Sequence, residues 1–312
     1  MKKRTLGKTG LQVSPICIGG WQLAGPLAFD GQPDGHPDPG RESVLRMIRE
    51  LGELGINFID TAEQYGGGES ERRVGEAVQS ERDKWIISTK FGYRVGPNGE
   101  RDNSSSPQRI TPSLESSLRR LKSDYVDIYL YHCAPDLREL EQGRAVLEQL
   151  VKAGKCRYYG ISTSNVSLVQ AMIKLEMVDV IQYPSNLLKD AAEMRATALA
   201  HNLGTQVRGV MAQGKLSGRY FEHQPCWRTD DNRSRSDNTD DYQQYAVLQK
   251  ALPLGCTMAQ TVIRWTLGQA GNHSICLGAK NMADYKDAIQ ATEMPALTQA
   301  EGERLKACVQ QG

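Results

Sequence analysis

The sequence carries almost no net charge, no paired cysteine motif, no long apolar run and no glycine fingerprint for a nucleotide, and each absence removes a class of protein. Its 38 Lys+Arg stand against 37 Asp+Glu, a formal charge of +1. That balance leaves no electrostatic footprint for nucleic acid or an anionic membrane. The seven cysteines are odd in number, scattered and never spaced C-x-x-C, so no disulfide framework or zinc site is suggested and a reducing compartment fits. The basic start "MKKRTLGKTGLQVS" has no apolar stretch behind it, and nowhere does an apolar run approach the ~18 residues of a membrane span. A cytoplasmic location is expected. H-E-x-x-H and a carboxylate-rich cluster are missing too, which argues against metal-assisted hydrolysis, and no metal site is expected.

What is present is a repeat. Short β-rich runs alternate with stretches whose apolar residues recur at three and four, the sequence form of successive βαβ units. Eight strands are expected, at 14–19, 56–60, 85–90, 126–131, 157–161, 179–183, 205–210 and 274–277. Helices between them include 42–54, with Val44, Ile48, Leu51 and Leu54 on one face, and 111–122, with Thr111 as N-cap ahead of Pro112. No G-x-G-x-x-G follows any strand, so an open doubly wound sheet fits less well than a closed (β/α)8 barrel, one domain over residues 1–312. The first dozen residues read as a β-hairpin plugging the barrel bottom. Long connections at 92–110 and 212–243 read as loops at the mouth, the second a lid carrying Phe221 and Trp227. The insertion 24–40 crosses near the pocket, with His36 expected in solvent.

Strand ends in such a barrel converge on one mouth, where the chemistry of barrel enzymes sits. Asp60 ends the second strand, Lys90 the third, His132 the fourth, Ser162 follows the fifth, Gln182 ends the sixth and Arg208 lies in the seventh. Singly, His132 reads as a core histidine and Lys90 as a snorkelling surface residue. Together they make a site. Asp60 and Lys90 on adjacent strands pair, and Tyr65, five residues past Asp60 on a glycine-rich turn, brings its hydroxyl beside the ammonium. An adjacent cation lowers an acid's pKa by ~1–3 units, which would bring Tyr65 nearer neutrality as a proton donor and acceptor.

These residues resemble the aldo-keto reductase family, most specifically in "GINFIDTAEQYGGGESE", "ISTKFG" and "LYHCAP", where Asp60, Tyr65, Lys90 and His132 match the family's catalytic tetrad. The resemblance runs from the "LGKTGLQVS" hairpin to "GAKN" near 280 and implies reduction of aldehydes or ketones with NADPH (NADP+), with NADH as the alternative coenzyme. It implies further that Ser162, Asn165 and Gln182 hold the nicotinamide carboxamide, that Arg208 stacks on the ring, and that Gly20, Trp21 and Asp60 are neighbours of coenzyme or substrate. The run Gly209, Val210, Met211, Gly214, Lys215, Ser217 and Arg219 would cradle the pyrophosphate through its amides. Gly278, Lys280, Asp284 and Asp287 would meet the adenosine end, Lys280 facing the 2'-phosphate. Trp21, Phe91, Tyr93 and Trp227 would wall the substrate pocket. The implied partner is a small carbonyl compound.

Two rivals stay in view. "GVMAQGKL", residues 209–216, matches the glycine and lysine spacing of a phosphate-binding loop, but Leu216 stands where a hydroxyl should hold magnesium. A regulatory or partner protein that binds the dinucleotide on the same fold, with little turnover, is the other.

Overall fold

In a β-strand successive side chains point to opposite faces, so a strand with two different environments must carry two interleaved sequences. Each of the eight main strands does. The computed structural model, which describes residues 1–235 and 241–310, closes them into a parallel barrel in chain order: β1 (Ile16–Gly19), β2 (Phe58–Asp60), β3 (Ile86–Phe91), β4 (Val126–Tyr131), β5 (Cys156–Ser162), β6 (Val180–Pro184), β7 (Gly204–Arg208) and β8 (Ser274–Leu277). Helices α1 (Arg41–Glu53), α2 (Glu69–Val78), α3 (Pro107–Leu121), α4 (Leu140–Lys152), α5 (Val166–Lys174), α6 (Ala192–Ala200), α7 (Met258–Gly268) and α8 (Met282–Glu293) follow these strands in turn, and α9 (Gln299–Gln310) ends the chain. The expected eight-stranded barrel is the observed one.

Outward residues such as Ile87, Tyr129, Ile181 and Val207 pack with the helices into the main core. Inward residues divide by height. Leu130, level with Lys90, tops an apolar plug formed near the strand starts by Cys17, Phe58, Ile86, Ile128 and Val180 with Leu6, Leu11 and Val13. The last three come from the hairpin Arg4–Thr5 and Gln12–Val13, which pairs antiparallel and caps the bottom as expected. Tyr158 locks it there by donating to the Thr9 carbonyl at 2.6 Å. Toward the mouth the inward residues turn polar, ending in Asp60, Lys90, Ser162 and Gln182, all buried. The bottom thus supplies stability and the top is left for chemistry.

Gly160 shows how tightly the wall is closed. A Cβ built there would lie 1.7 Å from the Val180 carbonyl oxygen on β6. Gly160→Ala is therefore expected to destabilise at the upper end of the ~1–3 kcal/mol typical of overpacking, read as a lower urea midpoint with an unchanged slope.

Several local expectations are corrected. Helix α3 begins at Pro107, with Ser106 rather than Thr111 at its N-cap position. Pro107 supplies the favoured first-turn proline, and the carbonyl bond that Pro112 forgoes belongs to solvent-exposed Gln108. Residues 92–110 are not an open loop but hold the hairpin Tyr93–Val95 with Arg101–Asn103. The 24–40 insertion likewise folds into a small hairpin, Ala28–Phe29 with Gln32–Pro33. His36 within it is buried at 4% exposure rather than solvated. Part of the expected 212–243 lid lies outside the described residues; the remainder packs Trp227 against Tyr220, Tyr242 and the Arg233 guanidinium. No helix among the described residues is long and apolar enough to cross a membrane.

Candidate active site

The buried carboxylate of Asp60 demands a cation, because an unpaired charge in an apolar interior is strongly unfavourable. Lys90, fully buried on the adjacent strand, supplies it. Its Nζ donates to Asp60 Oδ2 at 2.7 Å, to the Thr61 carbonyl at 2.9 Å and to the Tyr65 hydroxyl at 3.2 Å. All three donors of the ammonium are used. The β2 and β3 strands set the first two groups, and a turn sets the third. Gly66, Gly67 and Gly68, directly after Tyr65, have φ of 60°, 60° and 90°, a backbone that side-chain-bearing residues rarely adopt. The chain leaves the mouth there and enters α2, with Glu69 and Glu71 in its positive first turn.

Tyr65 stands between two rings. Trp21 stacks on it at 6.2 Å between centroids and His132 meets it edge-on at 5.7 Å. Burial is the largest influence on the phenol and raises its pKa above 10, with Lys90 opposing and Asp60 reinforcing the rise. The expected downward shift from the lysine is therefore overturned: desolvation outweighs the cation, and Tyr65 stays protonated at neutral pH. Lys90 shows the reverse balance. Burial works against its charge, yet Asp60 and Tyr65 outweigh it and its pKa is raised. Burial, with Lys90, Arg208 and Arg101 nearby, pushes His132 well below the usual histidine range, so the ring is neutral.

Deeper in the mouth, Ser162 Oγ donates to Gln182 Oε1 at 2.9 Å, and Gln182 Nε2 faces Gln206 Oε1 at 3.4 Å. Asp60 Oδ1, His132 Nδ1 and Gln206 Nε2 are buried with no partner among the described residues. A polar ligand in the mouth would satisfy such atoms, which fits a nicotinamide coenzyme laid across it. Gly20 donates its amide to the Asp60 carbonyl at 2.8 Å, holding β1 and β2 together beside the site. Arg208 is exposed at the end of β7 and makes no ion pair among the described residues.

Most other candidates already have partners within the fold. Phe91 is wholly buried against Tyr129 and Tyr131, because Lys90 points into the barrel and the next side chain must point out. It is core, not pocket wall. Asn165 caps α5, accepting from the Leu168 amide at 3.0 Å. Asp287 accepts from Thr257 and Gln260 and so ties α8 to α7. Asp284 accepts from Arg219 at 2.7 Å. The run Gly209 to Ser217 is a chain of tight turns whose amides at Ala212, Gly214, Lys215, Leu216 and Ser217 donate within the run. No α-helix begins directly after it among the described residues, which removes the phosphate-loop reading. Gly278 is packed against the Gln22 side chain.

Residues not anticipated complete the mouth. Trp21 Nε1 donates to the Asp34 carbonyl at 2.9 Å, and the Asp34 carboxylate accepts from Gln64 at 2.5 Å and Arg101 at 2.6 Å. His36 packs edge-on to Trp21 at 4.9 Å, with Nδ1 3.5 Å from Asp231, and the Asn232 amide donates to the Gly35 carbonyl at 2.9 Å. Burial lowers the His36 pKa despite Asp231. The Gly/Pro-rich composition of 24–40 hides these contacts; only the spacing of polar residues in a loop following a strand end hints at them.

A parallel eight-stranded barrel with a half-buried tyrosine beside a buried lysine and aspartate at its C-terminal mouth is the architecture of a barrel oxidoreductase. The model of the "Aldo/keto reductase family" matches residues 15–310, and the chain belongs to that family. It is an NAD(P)H-dependent oxidoreductase acting on carbonyl groups. It is similar to an NADH-specific methylglyoxal reductase of Escherichia coli (strain K12), 28% identical over 93% of this chain and 93% of that protein. An L-glyceraldehyde 3-phosphate reductase of the same organism is 29% identical over 93% of this chain and 87% of that protein. Among solved structures, the holo form of an aldo-keto reductase from Bacillus halodurans superposes with a TM-score of 0.83 at 26% identity, covering 99% of this chain and 96% of that one.

Proposed function

We propose that the protein reduces an aldehyde or ketone with NADPH, with Tyr65 as the general acid. The observation that carries this reading is the 3.2 Å contact from Lys90 Nζ to the Tyr65 hydroxyl, with Asp60 behind the ammonium at 2.7 Å. Ser162, Gln182 and Arg208 would hold the nicotinamide end, Lys215 and Arg219 the phosphates, and Lys280 the 2'-phosphate. Bound coenzyme supplies the hydride that adds to the carbonyl carbon. The substrate oxygen sits between Tyr65 and His132. A protonated Tyr65 donates to that oxygen as negative charge develops on it, and the Lys90 ammonium stabilises the phenolate left behind. Neutral His132 contributes a hydrogen bond that orients the oxygen, and Trp21 closes one side of the site.

The assignment of NADPH over NADH rests on Lys280 at the expected adenosine end; Arg219, read as a partner of the pyrophosphate, is engaged by Asp284. A relative named for NADH specificity makes NADH the alternative coenzyme. Addition of NADPH is expected to quench tryptophan fluorescence through Trp21 and to stabilise the fold by ~2.7 kcal/mol at a hundred times its Kd, read as a rise in Tm. No response to either coenzyme would sink the reading. Quenching without turnover of any aldehyde or ketone would point instead to a dinucleotide-binding regulatory protein.

A further inference from the structure

The space in front of Tyr65 is enclosed by a closed circuit of contacts. Tyr65 meets His132 at 5.7 Å, His132 meets Tyr93 at 5.0 Å, and the Arg101 guanidinium lies 5.4 Å from the Tyr93 ring. Arg101 pairs with Asp34 at 2.6 Å, the Asp34 carbonyl holds the Trp21 indole at 2.9 Å, and Trp21 returns to Tyr65 at 6.2 Å. Aromatic groups make up most of this rim. Its charged part is Arg101 with Asp34, whose carboxylate also accepts from Gln64 at 2.5 Å.

Among the described residues, that charged part carries more positive than negative charge. The one carboxylate of Asp34 is shared by two guanidiniums, Arg101 at 2.6 Å and Arg235 at 3.3 Å. Among the described residues, three further carboxylates of this region are engaged elsewhere: Asp60 on Lys90, Glu63 on Arg94 and Asp231 on Arg233. Arg101 gives Asp34 only its Nη2, so its Nε and Nη1 hydrogens have no acceptor among the described residues. Its plane is held over Phe29 at 4.3 Å, which fixes its direction without using those donors. The charges of Arg101 and Arg208 both reach Tyr93 and His132. A fixed, partly buried guanidinium with spare donors across an aromatic pocket from the proton donor suits an anionic group on the substrate.

We propose that Arg101, backed by Arg235 and restrained by Asp34, selects carbonyl substrates that carry a carboxylate or phosphate at the end remote from the reacting group. The inference rests on the reductase reading above and names its substrate class. Asp34 has a definite part in it: it holds Arg101 in place and competes with the substrate anion for it, and it thereby sets how strong the preference is.

The test uses the full chain with NADPH and paired substrates, 4-carboxybenzaldehyde against its methyl ester and erythrose 4-phosphate against erythrose, each rate expressed per free aldehyde and divided by the rate of that aldehyde with borohydride. The ratio of kcat/KM, anionic over neutral, is expected to favour the anion by about 10- to 100-fold in at least one pair, the range of a charge-assisted hydrogen bond, and to fall as salt is raised. Whichever pair shows it separates carboxylate from phosphate as the group recognised. Arg101→Gln is expected to bring the ratio toward one, Arg101→Lys to restore part of it, and Asp34→Asn to raise it. The opposite signs matter, because both Arg101→Gln and Asp34→Asn break the same ion pair and a merely structural role would move the ratio alike in both. Equal turnover of anionic and neutral partners in both pairs, or a shift of the same sign in both variants, overturns the inference while leaving the reductase reading intact. No turnover of any of the four, with no fluorescence response to coenzyme, overturns both.

Discussion

Tyr65→Phe is expected to lower kcat for carbonyl reduction by at least about two orders of magnitude, the usual worth of a positioned proton donor to a developing oxyanion, while leaving coenzyme affinity and folding near wild type. The substitution removes one oxygen. The ring keeps its neighbours Trp21 and His132, and Lys90 keeps its bonds to Asp60 and Thr61. The loss should therefore appear in kcat with coenzyme Kd little changed, a pattern that marks an interaction made in the transition state. The pH profile sharpens this. Tyr65 has its pKa raised above 10 by burial, and His132 is held well below 6.5. Neither changes its charge near neutrality, so reduction by wild type should be flat from about pH 7 to pH 9 and fall only where the phenol ionises. Alcohol oxidation, which needs the phenolate as base, should rise with pH over the same range. Turnover by Tyr65→Phe equal to wild type would take this residue out of the mechanism.

Why the barrel and the buried pair were readable, and the rim was not, follows from how each is encoded. A strand end is a local signal: "FID", "WIISTK" and "YLYH" each run apolar and then turn polar, and the barrel closure carries Asp60, Lys90 and His132 to one mouth without further information. Boundaries drifted by a residue or two, as at β7, expected to 210 and ending at Arg208. Phe91 was misread because its position next to Lys90 suggested the mouth, whereas a period of two sends neighbours to opposite faces. The Tyr65 shift was misread because sequence shows the neighbouring charge but not the depth of burial, and here burial dominates. Asp34, His36 and Arg101 lie on two excursions whose Gly, Pro and Asn content reads as solvent-exposed loop. Their contacts join residues 67 and 195 positions apart, as in Asp34 with Arg101 and His36 with Asp231, and no local pattern records such pairings.

Lys90→Met should damage both stability and turnover, and a second substitution separates the two. With the ammonium gone, Asp60 is left at 4% exposure with Oδ2 unpaired and Oδ1 already without a partner among the described residues. Breaking a buried ion pair from one side typically costs ~3–5 kcal/mol, because the remaining charge keeps its desolvation penalty. Denaturant melts should show that loss. Since the Lys90 pKa is raised in the folded state, its contribution is fully present below the unfolded value near 10.5 and is lost only as pH climbs beyond it. Adding Asp60→Asn to Lys90→Met removes the stranded charge, so the double variant should recover much of the stability lost by the single one, giving a coupling term in a double-mutant cycle. Reduction should not return with it, because Tyr65 would still lack the cation that stabilises its phenolate. A double variant that regained both would mean that Lys90 serves the fold alone; one that regained stability without turnover would assign the lysine to the chemistry as well.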